Sequence, residues 1–249
     1  MRDENSVLIG RNTVLEALRS ETTVERLFVL ENSTDGPIMT IVREAKKQGL
    51  PLDFVKKSRL DEISGNGKHQ GVAAYIAAYS YATVEEMLSL AKDKGEAPFL
   101  FLLDGIEDPH NLGAMIRTAN LCGAHGVVIP NRRAVGLTPT VAKASAGAIN
   151  YTKVACVSNL NQTIDRLKEE GMWFVCADME GTRMYDLNLT GPIGLVIGNE
   201  GEGVSRLTKE KCDFVASIPM FGDIDSLNAS VACGVLSYEI LRQRLQKPL

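Results

Sequence analysis

The sequence lacks most of the features that assign a chemistry directly. Its five cysteines, Cys122, Cys156, Cys176, Cys212 and Cys233, form no CxxC pair, so neither a dithiol redox motif nor a zinc ribbon is encoded. An odd number of widely spaced thiols also argues against a closed disulfide framework and for reduced, mostly buried side chains in a reducing compartment. The three histidines, His69, His110 and His125, make no HxxxH pair, which leaves a metal site without support. No apolar run approaches the roughly 20 residues that span a bilayer, and the opening Met1-Arg2-Asp3-Glu4-Asn5 is too polar for a signal peptide. A cytoplasmic protein without membrane association is expected. Basic charge is not in excess: 27 Lys and Arg against 31 Asp and Glu give a net charge of −4, so a polyanionic partner would have to be met by local clusters. Neither GxGxxG nor GxxxxGK is present, and no hydrolase Ser/His/Asp elbow or activated-cysteine context is visible.

What is present is an ordinary globular composition over 249 residues, 45% hydrophobic and 23% charged, enough for one large domain or two smaller ones. Residues 1 to 80 hold 11 basic and 11 acidic side chains, leaving 16 basic against 20 acidic in the remainder. The basic clusters are Lys46-Lys47, Lys56-Lys57 with Arg59, Lys68, and Arg132-Arg133; each also reads as a solvated face.

Periodicity predicts helices at Asn12 to Arg19, Ile38 to Gln48 and Ser58 to Ile63, with strands at Arg26 to Leu30, Leu52 to Val55 and Gly71 to Ala77. A join follows over 79 to 97, in which Thr83 can cap a short helix across Glu85 to Ala91. From Pro98 longer βα units begin. Strands are expected at Phe99 to Leu103, Gly126 to Ile129, Lys153 to Val157, Trp173 to Ala177, Gly194 to Ile197 and Phe214 to Ile218. Helices are expected at Leu112 to Leu121, Thr138 to Ser145, Leu160 to Glu170 and Ser226 to Gln246. Strands alternating with helices imply an α/β fold with a parallel sheet, whose ligands sit beyond the carboxyl ends of the strands.

Three loops follow such strands. In Asp104 to Gly113, Asn111 precedes Arg117 by six residues, close to two helical turns. The local alternative is that Asn111 caps the helix and Arg117 makes a surface ion pair. In Gly198-Asn199-Glu200-Gly201-Glu202-Gly203, glycines allow close backbone approach while two glutamates oppose a phosphate; an uncharged or cationic cofactor part fits better. In Ile218-Pro219-Met220 and Asp225-Ser226-Leu227-Asn228-Ala229-Ser230, Ser226 could simply be an N-cap. Composition and spacing stop at an α/β enzyme with a ligand site built from three loops.

Together these stretches resemble the three motifs of the SpoU/TrmH branch of SPOUT RNA 2'-O-ribose methyltransferases: Asp108-Pro109-His110-Asn111-Leu112-Gly113 with Arg117, Ile197-Gly198-Asn199-Glu200-Gly201-Glu202-Gly203, and Ile218-Pro219-Met220 with Ser226-Leu227-Asn228-Ala229-Ser230. Gly10-Arg11-Asn12 with Val14-Leu15-Glu16-Ala17-Leu18, and His69-Gln70-Gly71-Val72-Ala73-Ala74, resemble the substrate-binding domain of the same enzymes. The resemblance implies an L30e-like RNA-binding domain over 1–78, a linker over 79–97 and a trefoil-knotted methyltransferase domain over 98–249. It implies S-adenosylmethionine as cofactor, with Ile197, Gly198, Ile218, Met220 and Leu227 around it. It implies catalytic roles for Asn111, Arg117, Glu200, Ser226 and Asn228; because a guanidinium stays protonated and accepts no hydrogen bond, Arg117 is expected to fix the target phosphate and stabilise developing alkoxide charge, with Asn111 and Glu200 orienting it. It implies a homodimer, no metal, and RNA as substrate, a guanosine ribose of 23S rRNA being nearest in layout and tRNA or another rRNA site the alternative. An inactive RNA-binding assembly protein of the same fold, and a dinucleotide-dependent enzyme, are the other classes considered.

Overall fold

The computed structural model describes residues 6–19, 23–33, 35–76, 79–224 and 226–246. Its contacts divide the chain into two compact units, Met1–Ser80 with Gly136–Pro139, and Tyr81–Val135 with Thr140–Leu249.

The first unit runs β1 (Ser6–Ile9), α1 (Arg11–Arg19), β2 (Val24–Leu30), α2 (Gly36–Lys47), β3 (Leu52–Val55), α3 (Lys57–Ile63) and β4 (Val72–Ile76). The sheet order is β1-β4-β2-β3. β4 is antiparallel to β1 and β2, while β3 is parallel to β2, a connection that requires the crossover helix α2. Alternation along β2 sends Leu27 and Val29 to a core with Val14, Leu18, Ile38 and Ile41 from α1 and α2. Phe28 goes to the opposite face, against Leu60 of α3 and Ala73. The two stretches that carried the resemblance to a substrate-binding domain meet here: Arg11 donates its backbone N–H to Gln70 Oε1 at 3.0 Å and its Nε to the Gln70 carbonyl at 3.0 Å. His69 Nδ1 accepts from the Gly71 amide at 3.0 Å, which puts the ring proton on Nε2, 3.0 Å from Asp61 Oδ1.

The second unit runs α4 (Val84–Lys94), β5 (Phe99–Asp104), α5 (Pro109–Leu121), β6 (Gly126–Pro130), α6 (Pro139–Ala144), β7 (Val154–Val157), α7 (Leu160–Glu169), β8 (Trp173–Arg183), β9 (Ile193–Gly198), α8 (Arg206–Lys211), β10 (Phe214–Ser217) and α9 (Ala229–Leu245). Its sheet, ordered β10-β8-β9-β5-β6-β7, is parallel at every pairing. Apolar runs without alternation suit strands covered on both faces. Leu100 and Leu102 pack with Met87 of α4 and Ile164 of α7. The alternate residues face the other side, where Arg244 of α9 lies over the Phe99 ring at 4.9 Å.

Several local expectations change. The stretch 79–97 is not a free connection: Thr83 and Glu86 form a reciprocal capping box, and Val84, Met87 and Ala91 are buried, so the helix belongs to the second unit. β1 and α8 were not anticipated, one being a four-residue strand and the other a six-residue charged turn of helix. β8 continues past Ala177 to Arg183. Ala77, placed in a strand from sequence, lies outside the described residues. Cys122, Cys176 and Cys233 are buried, Cys212 partly so, and Cys156 is exposed.

Candidate active site

The carboxyl ends of β8, β9 and β10 open onto a cavity of about 410 Å³, within the usual range for a small-molecule site. Ile197 and Gly198 end β9, Ile218 and Met220 follow β10, and Ser226 and Leu227 precede α9; all six line the cavity, as do Glu200, Glu202 and Ala216. The five residues expected around a cofactor are thus gathered in one place. The β9 loop is held by Asn199, whose Oδ1 accepts from the Gly201 amide at 3.0 Å and the Glu202 amide at 2.6 Å. Gly198 is demanded by close approach: a Cβ there would overlap the Gly203 carbonyl group and the Val204 amide.

A side wall comes from an irregularity the sequence did not announce. Val215 of β10 is opposite Cys176 of β8, but the next residue, Ala216, is opposite Thr182. β8 therefore carries residues 177–181 as a bulge, and Ala177, Asp178 and Met179 of that bulge line the cavity. Asp178 accepts from Lys209 Nζ at 2.7 Å and from the Glu180 amide at 3.0 Å. The Lys209 ammonium, then the amide, hold its carboxyl below the ordinary value.

The polar residues converge on one carboxylate. Asn111 is buried in the first turn of α5 and donates Nδ2 to Glu200 Oε1 at 2.9 Å. Asn228 Nδ2 donates to Asn111 Oδ1 at 3.1 Å and also to Glu200 Oε1. Asn228 Oδ1 faces the Ser230 and Val231 amides at 3.0 and 3.3 Å, so its oxygen and nitrogen cannot exchange places without losing donors on one side and facing a carboxylate on the other. Loops of β5, β9 and β10 are thereby tied at one point, 117 residues apart in sequence for the Asn111–Asn228 pair.

Two cap expectations are corrected. The N-cap of α5 is Asp108, which accepts from the His110 amide at 3.0 Å, with Pro109 opening the helix; Asn111 is therefore free for Glu200. The N-cap of α9 is Asn228, not Ser226. Arg117 is exposed on α5 and its side chain has no hydrogen bond or ion pair among the described residues, so Asn111 and Glu200 engage each other and Asn228 rather than orienting Arg117. Asp104, which accepts from the Ser205 amide at 2.9 Å, and Asn199 were missed as loop-fixing residues. An Asn two residues before a glycine is a turn signal that could have flagged Asn199. Among the described residues no cluster of three or more His, Cys, Asp or Glu could hold a metal, and no helix is long and apolar enough to cross a membrane.

The profile of the SpoU rRNA Methylase family matches residues 98–238, and that described as RNA 2'-O ribose methyltransferase substrate binding matches residues 7–82. The chain belongs to the SpoU/TrmH family. It is 48% identical over 247 residues, 98% of each chain, to a Bacillus subtilis (strain 168) protein named for TrmH family tRNA/rRNA methyltransferases. A Staphylococcus haemolyticus protein named for the same family is 47% identical over 244 residues, again 98% of both chains. Among solved structures, the SpoU methyltransferase AviRb of Streptomyces viridochromogenes, in complex with the cofactor AdoMet, superposes with a TM-score of 0.62 at 22% identity, over 98% of this chain and 92% of that one. An AdoMet-bound rRNA methyltransferase of Sinorhizobium meliloti gives 0.58 at 20% identity over 96% and 87%. These two likenesses establish the fold. For this SpoU/TrmH chain the family assignment makes it an RNA 2'-O-ribose methyltransferase, and the three motif loops are the ones that meet around Glu200.

Proposed function

We propose that the chain transfers a methyl group from S-adenosylmethionine to the ribose 2'-hydroxyl of a guanosine in 23S rRNA, in the cytoplasm and as a homodimer. The observation that carries the reading is the meeting of three separate loops, through Asn111, Glu200 and Asn228, at the rim of one cavity. The lining fits the cofactor: Ile197, Ile218, Met220 and Leu227 offer apolar walls for an adenine ring, and the loop around Gly198 offers backbone groups. Glu200 and Glu202 favour a cationic ligand over a phosphate. When bound, S-adenosylmethionine supplies an electrophilic methyl group on a positively charged sulfur.

Asn111 and Asn228 hold the Glu200 carboxylate through Oε1, leaving Oε2 without a hydrogen bond among the described residues and open to the substrate. Ser226, exposed at the cavity rim, is placed to orient the same ligand. Arg117, permanently protonated, cannot act as a base unaided; it grips the phosphate beside the target ribose and stabilises charge developing on the 2'-oxygen. Val231, Tyr238 and Leu245 are exposed at 49, 50 and 76% and recur every seven residues along α9, an apolar stripe that supports pairing of two copies. The first unit serves as the RNA-binding domain.

The test is transfer of labelled methyl to undermodified total RNA by wild type and Arg117→Ala, mapped by resistance to alkaline cleavage. Label at one 2'-O position of 23S rRNA, absent in the variant, is expected. Label on tRNA would move the substrate and keep the reaction; cofactor binding without label in any RNA would overturn the reading. Arg117→Lys should also lose turnover while keeping cofactor and RNA affinity, and near-normal turnover would refute the role given to the guanidinium.

A further inference from the structure

The substrate-binding match covers residues 7–82 without saying which face meets RNA, and side-chain phase along α2 and β3 narrows it. β3 is the edge strand of the first sheet, and Phe54 stands opposite Val29, so it lies on the face covered by α1 and α2. Within this unit no strand flanks it on the outer side, and it remains 55% exposed. α2 buries Ile38, Ile41, Val42 and Ala45. On its α1 side, Gln48 donates Nε2 to the Leu18 carbonyl at 2.7 Å. At 100° per residue, Met39, Arg43 and Lys46 therefore form the opposite flank, turned away from α1 and toward the β3 edge. Met39 is 49% exposed.

The charges on this side are unbalanced. The side chains of Arg43, Lys46, Lys47, Lys56 and Lys57 are exposed and make no ion pair or hydrogen bond among the described residues. The nearby acid Asp53 projects from the other face of β3, opposite Phe28, and is paired with Arg26 at 3.3 Å. Arg43 and Lys46 on this flank of α2, and Lys56 two residues after Phe54, thus bring unpaired cations to the side of the sheet on which Phe54 is exposed.

We infer that Phe54 is a stacking platform for an unpaired base of the substrate RNA, with Arg43 and Lys46 contacting the adjoining phosphates. This rests on the RNA-methyltransferase reading above. An aromatic ring takes any base by its π-face, and flexible cations beside it follow the backbone, which is the pairing that single-stranded RNA requires. A protein partner would be favoured by a wider apolar surface with charge kept at its rim.

The experiment uses the full chain. Binding of undermodified total RNA is measured across a salt series, together with methyl transfer, for wild type, Phe54→Ala, Phe54→Trp and the double variant Arg43→Gln, Lys46→Gln. Phe54→Ala should weaken RNA binding about fivefold to about a hundredfold, appearing in KM for RNA rather than in kcat, with cofactor affinity and thermal midpoint unchanged. Phe54→Trp should bind as wild type does, and in a Trp173→Phe background its emission should be quenched by RNA. The double variant should lower the log-log salt slope by about 1.4, two phosphate contacts' worth. RNA affinity and salt slope unchanged in all variants, while wild type still methylates RNA, would overturn this surface alone. A wild type that neither binds nor methylates RNA would overturn this inference and the proposed function together.

Discussion

Asn228 joins two jobs that a pair of substitutions can separate. Its oxygen caps α9 through the Ser230 and Val231 amides, and its nitrogen reaches Glu200 and Asn111. Asn228→Ala removes both: loss of the cap costs about 1 kcal/mol, and loss of a hydrogen bond to an exposed carboxylate about 1.5 kcal/mol more, the low end for charged partners. Asn228→Asp keeps a side-chain cap as good as the original but turns a carboxylate toward Glu200. At ~3 Å, two such charges repel by about 1.5 kcal/mol in water-like surroundings and about 5 kcal/mol at an effective dielectric of 20. Because Glu200 and residue 228 are exposed, the smaller figure applies. Asn228→Asp also gives up the Nδ2 hydrogen bond, about 1.5 kcal/mol, so the variants should lose about 2.5 kcal/mol (Ala) and about 3 kcal/mol (Asp) at low ionic strength, for different reasons. Raising salt from about 0.05 M to about 1 M shortens the screening length to about 3 Å; Asn228→Asp should recover most of its electrostatic loss relative to wild type, and Asn228→Ala almost none. Urea midpoints followed by circular dichroism at the two salts read this directly. A variant pair that responds identically to salt would show that Asn228 does not face Glu200 in solution, and the three-loop tie would fall with it.

Three further outcomes can be measured by the same denaturation assay. Gly113→Ala would place a Cβ 2.8 Å from the Val141 carbonyl oxygen and 2.9 Å from the Ser145 amide, so it should cost about 1 to 3 kcal/mol by overpacking; unaltered stability would mean α5 and α6 separate easily. His125 accepts the Phe99 amide on Nδ1 at 3.0 Å, and burial, only partly opposed by Glu96, pushes its pKa below the ordinary 6.5. The folded state resists a proton that the unfolded chain accepts, so this contribution is complete above pH about 6.5 and is lost as pH falls below it; His125→Gln should flatten that part of the profile, and an unchanged slope would refute the assignment. Arg244 donates to the carbonyls of Ala97, Pro98 and Gly191 at 3.0, 2.9 and 2.8 Å; Arg244→Leu should cost about 3 kcal/mol by leaving them short of donors, and a midpoint shift under a fifth of that would contradict it.

Long-range periodicity was more legible than local detail. The apolar stretch Phe99-Leu100-Phe101-Leu102-Leu103 announced a strand covered on both faces because such strands need no alternation. The residues lining the cavity were reachable because motif order places each loop after a strand, and parallel sheets expose their strand ends on one side. Helix starts were misread by three residues at α5 and α9, where several good capping residues stand close together. Pro109 was the usable signal at α5, since proline favours the first helical position and so points to Asp108. The bulge at 177–181 left no trace in the sequence: it exists only in the pairing of β8 with β10, a strand more than thirty residues away. Arg117 behaved similarly, since a motif names the residue without naming its neighbours.

The strand order has a consequence for how the chain is made. β5 is the earliest strand of the second sheet to leave the ribosome, yet it ends in the middle of that sheet, between β6 and β9. β6 follows closely, whereas roughly ninety residues separate the end of β5 from the start of β9. At translation speeds of about 5 to 20 residues per second, one hydrogen-bonding edge of this apolar strand stays open for about 5 to 20 s. Growth of the nascent chain, rather than any energetic step in the finished protein, then determines when this edge is sealed, and a cell translating slowly prolongs its exposure to aggregation.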